Sequence, residues 1–112
     1  MPDDTLSGSW LAARLGVEPR KLDAMRRGGQ IIAVRDRGSQ EWRYPTWQFG
    51  RGFRLLPGID RVIAVARESG LDEEQLAQLL SRRAGLVQSR PLADLLREGR
   101  VDQVIAAVRA AA

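Results

Sequence analysis

The chain has 112 residues, of which 44% are hydrophobic and 29% charged, a composition that suits one ordinary globular domain or two very small ones and argues against disorder. It contains no cysteine and no histidine, so disulfides, thiolate metal sites and the commonest general acid–base side chain are all excluded. We therefore expect a protein that is not an enzyme and that has no cofactor and no metal.

The net charge of +4 is confined to the first half of the chain. Residues 1–54 contain ten Lys and Arg against six Asp and Glu, which gives +4, whereas residues 55–112 contain eight of each, which gives zero. Every basic residue except Lys21 is an arginine, whose guanidinium can donate two hydrogen bonds to a phosphate or to a guanine edge. The first half is thus the candidate for contact with an anionic partner.

The stretch from Ser9 to Gly29 predicts two short helices. Ser9 can cap a first helix from about Trp10 to Leu15, which Gly16 ends. A proline at the first helical position favours a second helix over Pro19–Arg27, and Gly28-Gly29 stops it.

A β-hairpin is predicted next. Ile31–Arg35 is rich in β-branched residues, "DRGSQ" forms a turn, and Glu41–Tyr44 forms a second strand that Pro45 ends. Five aromatic residues fall at element ends and are expected in the core: Trp10, Trp42, Tyr44, Trp47 and Phe49.

The remainder is predicted to be helical. Glycines and a proline indicate a linker over residues 50–58, followed by a helix over Ile59–Ser69 and a second helix that Asp72 caps. A loop over residues 84–89 leads to Pro91, which opens a helix over Leu92–Glu98, and a last helix is predicted over Val101–Ala111. The predicted fold is therefore mostly α with a small β-hairpin: a winged helix-turn-helix in residues 1–49, the linker, and a C-terminal helical bundle in residues 59–112.

A helix-turn-helix pattern carries the functional prediction. Counted from Gly8, such a unit needs apolar residues at positions four, eight, ten, fifteen and eighteen, a small residue at five and glycine at nine. The chain meets all seven requirements with Leu11, Leu15, Val17, Leu22, Met25, Ala12 and Gly16. The second helix of such a unit enters the major groove of DNA.

The polar face of that second helix is the predicted DNA-binding surface. It consists of Arg20, Lys21, Asp23, Ala24, Arg26 and Arg27. We assign Arg20, with Asp23, to base edges and the other basic residues to phosphates. The hairpin residues Arg35, Arg37 and Arg43 suit a wing on the backbone or in the minor groove. The expected partner is double-stranded DNA, bound by a cytoplasmic, nucleoid-associated protein without membrane contact.

The stretch "WLAARLGVEPRKLDAMRRGGQIIAVRDRGSQEWRYPTWQF" resembles the helix-turn-helix half of small bacterial proteins related to Xre/MbcA/ParS-type antitoxins, and "RPLADLLREGRVDQVIAAVRAAA" resembles their toxin-binding segment. The resemblance implies an antitoxin that represses its own operon and binds a toxin, commonly of the RES-domain type. It implies a partner surface made of Pro91, Leu92, Leu95, Leu96, Gly99, Arg100 and Val104.

Three interpretations follow from these patterns. The first is a sequence-specific transcriptional regulator whose helical tail forms a homodimer or binds a protein partner. The second is an interaction module that neutralises a toxin without binding DNA. The third is an excisionase-like architectural factor that bends DNA.

Overall fold

The structure, a computed structural model, describes residues 5–81 and 91–111. The described chain is mostly helical with a small three-stranded antiparallel sheet. The predicted loop over residues 84–89 lies outside the described residues.

Two helices open the fold, α1 (Gly8–Leu15) and α2 (Pro19–Arg27). The predicted cap at Ser9 is wrong: the Ser7 side chain accepts a hydrogen bond from the Trp10 N–H at 3.2 Å, so α1 begins earlier. Gly16 ends α1 with φ of 71°, a left-handed conformation that glycine adopts at little cost. The bounds of α2 are as predicted.

The sheet has one strand more than the predicted hairpin. Strand β1 (Thr5–Ser7) pairs antiparallel with β3 (Trp42–Pro45), and β3 pairs antiparallel with β2 (Val34–Arg35), giving the order β1-β3-β2. The register places Leu6 opposite Tyr44. The chain therefore enters α1 directly from the edge of the sheet.

Strand β2 is shorter than predicted because the Gln48 side chain, and not a neighbouring strand, hydrogen-bonds the backbone of Ile32. Ile31, Ile32 and Ala33 are buried but lie outside the ladder. The Ile32 N–H donates to Gln48 Oε1 at 2.7 Å, and Gln48 Nε2 donates to the carbonyls of Ile32 at 2.8 Å and Pro45 at 3.0 Å. Gln48 is fully buried and joins the segments on either side of the hairpin.

Four further helices complete the described fold. Helix α3 (Ile59–Glu68) and helix α6 (Val101–Ala111) pack against each other, with α4 (Glu73–Ser81) and α5 (Leu92–Arg97) beside them. The predicted cap of α4 is confirmed, since Asp72 Oδ1 accepts from the Gln75 N–H at 2.8 Å while the Asp72 N–H donates back to Gln75 Oε1. None of the described helices is long and apolar enough to cross a membrane.

The buried side chains form two clusters. An N-terminal cluster surrounds Leu11, Leu22 and Tyr44, and a C-terminal cluster lies among α3 to α6. Ile32 belongs to the second cluster, and Leu55 packs against both. The segment over residues 50–58 contains a short 3-10 turn at Arg51–Phe53 and the buried Leu56.

The aromatic residues follow the prediction in part. Tyr44 and Phe49 are buried, while Trp42 and Trp47 are half-buried and pack against the clusters. The placement of Trp10 in the core is wrong, because 48% of its surface is exposed. Its ring lies on the outer side of α1, against Phe53.

Candidate nucleic-acid interface

Helix α2 packs one narrow side on the protein and turns the rest outward. Within α2, Leu22 is fully buried and Met25 is half-buried beside it. The seven motif positions behave as the pattern requires: the six side chains Leu11, Ala12, Leu15, Val17, Leu22 and Met25 all join the N-terminal cluster, and Gly16 makes the turn. The opposite face of α2 is left free of the core.

Four of the six predicted α2 residues form that exposed face: Arg20, Lys21, Ala24 and Arg27. Arg20, Ala24 and Arg27 are spaced four and three residues apart, so they lie along one line of the helix. Arg20 pairs with Glu18 at 3.4 Å, but both side chains are largely exposed and such a pair contributes about 0–1 kcal/mol. The guanidinium can therefore exchange this carboxylate for a phosphate or a base. Asp23 is half-buried at the edge of the face.

Arg26 is half-buried and faces the hairpin rather than the exposed side of α2. Its guanidinium carbon lies 3.9 Å from the centre of the Trp42 ring, and its Nε is buried with no hydrogen-bond partner among the described residues. Arg35 from β2 lies over the same ring at 4.7 Å. The assignment of Arg26 to a phosphate does not fit this geometry, because the side chain joins α2 to the hairpin.

Glu73, the first residue of α4, is half-buried near Arg26. Burial raises the pKa of Glu73, the positive charges of Arg26 and Arg67 oppose that rise, and Asp72 adds to it. Its Oε2 has no hydrogen-bond partner among the described residues. Burial and the charge of Asp23 likewise raise the pKa of Tyr44. A polar cluster therefore connects α2, β3 and the start of α4.

Arg67 of α3 fixes the C-terminal end of α2. Its Nη2 donates to the Arg26 carbonyl at 3.0 Å and its Nη1 to the Arg27 carbonyl at 3.1 Å. The Arg26 carbonyl also accepts from the Gly29 N–H at 3.2 Å, and a cation beside the last carbonyls of a helix offsets its dipole. Gly29, with φ of 74°, leaves room for this approach, since a Cβ there would lie 3.1 Å from Arg67 Nη1.

The hairpin carries the three predicted arginines in different surroundings. Arg35 and Arg37 are exposed, and Arg37 pairs with Glu74 of α4 at 3.3 Å. Arg43 is half-buried and donates to Thr5 Oγ1 and the Thr5 carbonyl, so it holds β1 rather than facing outward. Two of the three predicted wing arginines are therefore available to a ligand.

The hairpin turn is ordered by its own hydrogen bonds. Asp36 Oδ2 accepts from the Ser39 N–H at 2.9 Å and from Ser39 Oγ at 2.7 Å, and these bonds lower the pKa of Asp36. Gln40 adopts a left-handed φ of 64°. The predicted turn therefore has a defined conformation that presents Arg37 at its end.

Four of the seven predicted partner-binding residues lie in the core of the described chain. Leu92, Leu95, Leu96 and Val104 are buried in the C-terminal cluster. Their spacing matches the side of α5 and α6 that must face the other helices, so it needs no partner to explain it. Pro91 is half-buried, and Gly99 and Arg100 are exposed, with Arg100 paired to Glu98.

Three contributors to the interface were missed: Gln48, Arg67 and Glu73. Gln48 has no sequence signal, because an isolated glutamine near a turn is normally exposed. Arg67 and Glu73 lie on helices that were predicted well, but their contacts reach about forty and fifty residues back along the chain. Local periodicity contains no information about such contacts.

Comparison with known proteins identifies the fold and no family. The NMR structure of Rv2175c superimposes with a TM-score of 0.83 and 20% sequence identity, over 100% of this chain and 84% of that chain. No protein-family model and no curated protein matches the sequence. The chain shares the overall fold of Rv2175c, and at this identity the likeness concerns the fold alone.

Proposed function

We propose that this protein is a sequence-specific, double-stranded DNA-binding regulator in which α1, α2 and the β2–β3 hairpin act as a winged helix-turn-helix. The observation that carries the proposal is the exposed basic face of α2, where Arg20, Lys21 and Arg27 surround the small Ala24. A small side chain at the centre of a basic face lets a helix approach the floor of the major groove closely.

The hairpin supports the same proposal. The hairpin is joined to α2 through the contact of Trp42 with Arg26, and Arg35 lies over the same ring. Arg37 is exposed at the hairpin turn. Exposed arginines on a rigid hairpin suit the phosphate backbone or the minor groove. In this proposal α2 discriminates between sequences and the hairpin adds affinity.

The C-terminal helices have a defined part in this proposal. They supply Arg67, Glu73 and Glu74, which contact α2 or the hairpin. We propose that they hold α2 and the hairpin at a fixed angle. The described structure gives no comparable support to a toxin-binding surface, because most of the residues assigned to it are buried.

A binding assay tests the proposal directly. A duplex of about 30 base pairs, three helical turns, would be selected from a random library and titrated with the protein by fluorescence anisotropy. Affinity should fall steeply between about 50 and 200 mM salt, because phosphate contacts release counterions. If no duplex is enriched, or if binding does not depend on salt, the proposed function is wrong.

A further inference from the structure

A second basic surface lies on the outer side of α1, apart from the predicted DNA-binding residues. Arg14 of α1 lies over the Phe53 ring, 5.0 Å from its centre, and Phe53 also contacts Trp10 at 5.5 Å. Arg51 and Arg54 flank Phe53 in the turn and are exposed. We call Trp10, Arg14, Arg51, Phe53 and Arg54 the α1 patch.

The α1 patch contains cations without carboxylate partners. Arg14, Arg51 and Arg54 make no ion pair within the described chain, whereas Arg20, Arg37 and Arg61 each pair with an acidic residue. Exposed guanidiniums that have no carboxylate partner within the described chain complement an anionic ligand.

The turn that presents the patch has a strained backbone and is closed by backbone hydrogen bonds. Phe53 has a φ of 60° and follows Gly52 at 64°, a left-handed conformation that an aromatic residue rarely adopts. The Gly50 N–H donates to the Arg54 carbonyl at 2.7 Å, and Phe49 bridges to Leu55. Strain of this kind persists where the surrounding structure enforces it and is concentrated at functional sites.

We propose that the α1 patch binds the phosphate backbone of duplex DNA next to the segment that α2 contacts. This inference rests on the proposed function and extends its footprint. The first helix of a helix-turn-helix crosses the backbone, which brings the outer side of α1 towards phosphates. The Trp10 indole, half exposed, adds an N–H donor with no hydrogen-bond partner in the described residues.

The contacts of Phe53 favour a duplex over a single strand. Stacking of unpaired bases needs free aromatic faces in succession. Phe53 is already engaged by Trp10, by Phe49 at 5.6 Å and by Arg14, which leaves one half-exposed indole. The aromatic rings therefore support the arginines instead of forming a platform for bases.

The test compares charge-matched double variants on two duplexes. Arg51→Ala/Arg54→Ala removes two patch charges, and Arg61→Ala/Arg109→Ala removes two exposed charges from α3 and α6. On the selected duplex, the patch variant should lower the slope of log K against log salt by about two, roughly one for each lost phosphate contact, while the control retains the slope. On a duplex trimmed to the α2 contact segment, both variants should match the unaltered protein.

The outcomes separate this inference from the proposed function. If the patch variant retains the full salt slope while Arg20→Ala still reduces sequence discrimination, the α1 patch inference is wrong and the proposed function stands. If patch-dependent binding appears with single-stranded oligonucleotides and not with the duplex, the choice of duplex is overturned. If the unaltered protein selects no duplex, both proposals fail together.

Discussion

Replacement of Gln48 by methionine tests the strongest internal contact that sequence analysis missed. Methionine preserves the length and flexibility of the side chain but loses all three hydrogen bonds. The Ile32 N–H and carbonyl would then be buried without their partner, and each such group costs about 1–3 kcal/mol. We expect the free energy of unfolding to fall by about 4 kcal/mol, a large part of the roughly 5–15 kcal/mol of a typical domain.

Urea unfolding followed by circular dichroism would measure this loss. A thermal melt should show a decrease in Tm of about 20 °C, taking about 5 °C per kcal/mol for a domain of this size. Gln103→Met, at an exposed position on α6, is the matched control and should leave stability nearly unchanged. A loss of less than about 1 kcal/mol for Gln48→Met would mean that the Ile32 N–H and carbonyl find other hydrogen-bond partners. The conclusion that Gln48 holds the two sides of the hairpin together would then be refuted.

Three further predictions concern the interface. Arg20→Ala should reduce discrimination between selected and scrambled duplexes, whereas Arg37→Ala should weaken binding to both alike; uniform weakening by Arg20→Ala would contradict its assignment to base edges. Arg67→Met should lower the free energy of unfolding by about 1 kcal/mol in urea and reduce duplex affinity, although Arg67 is not among the residues assigned to DNA contact. Unchanged values would show that Arg67 does not hold α2. Burial raises the folded-state pKa of Glu73, so its carboxylate should lower stability as the pH rises from about 4.5, the unfolded value, through the folded pKa. Glu73→Gln should therefore be more stable relative to the unaltered protein at pH 7 than at pH 4, and the opposite trend in urea unfolding would refute this.

The helices were predictable because their signals are local. Pro19 at the start of α2, left-handed Gly16 after α1 and the apolar spacing of Val101–Ala111 each determine an element within a few residues. Strand β1 was missed because Thr5–Ser7 is short and polar and extends only because β3 offers it an open edge. Strand β2 was predicted too long because a run of buried β-branched residues gives the same sequence pattern in two cases. Their backbone groups can hydrogen-bond either to a neighbouring strand or to a side chain.

The interface was predictable at the level of helix faces and not of individual side chains. The helical periodicity correctly predicted that Leu22 faces the core and that Arg20 is exposed. Arg26 lies at the boundary between the two faces, where its direction depends on the Trp42 ring, which comes from a strand sixteen residues later. The same limit applies to the predicted partner surface, because a stripe of leucines on α5 suits an internal contact as well as an external one.

The hydrogen bonds from Arg67 to the last two carbonyls of α2 have a consequence for protein engineering. A fragment that ends before α3 would keep every α2 and hairpin residue assigned to base edges or to DNA phosphates. It would lose the Arg67 guanidinium, which hydrogen-bonds the C-terminal end of α2. Grafting such a fragment onto a foreign dimerisation domain would transfer the side chains proposed to contact DNA without the contacts that orient α2. If α2 binds DNA as proposed, a chimaera intended to keep that binding would have to include α3 and the first turn of α4 as part of the transplanted unit.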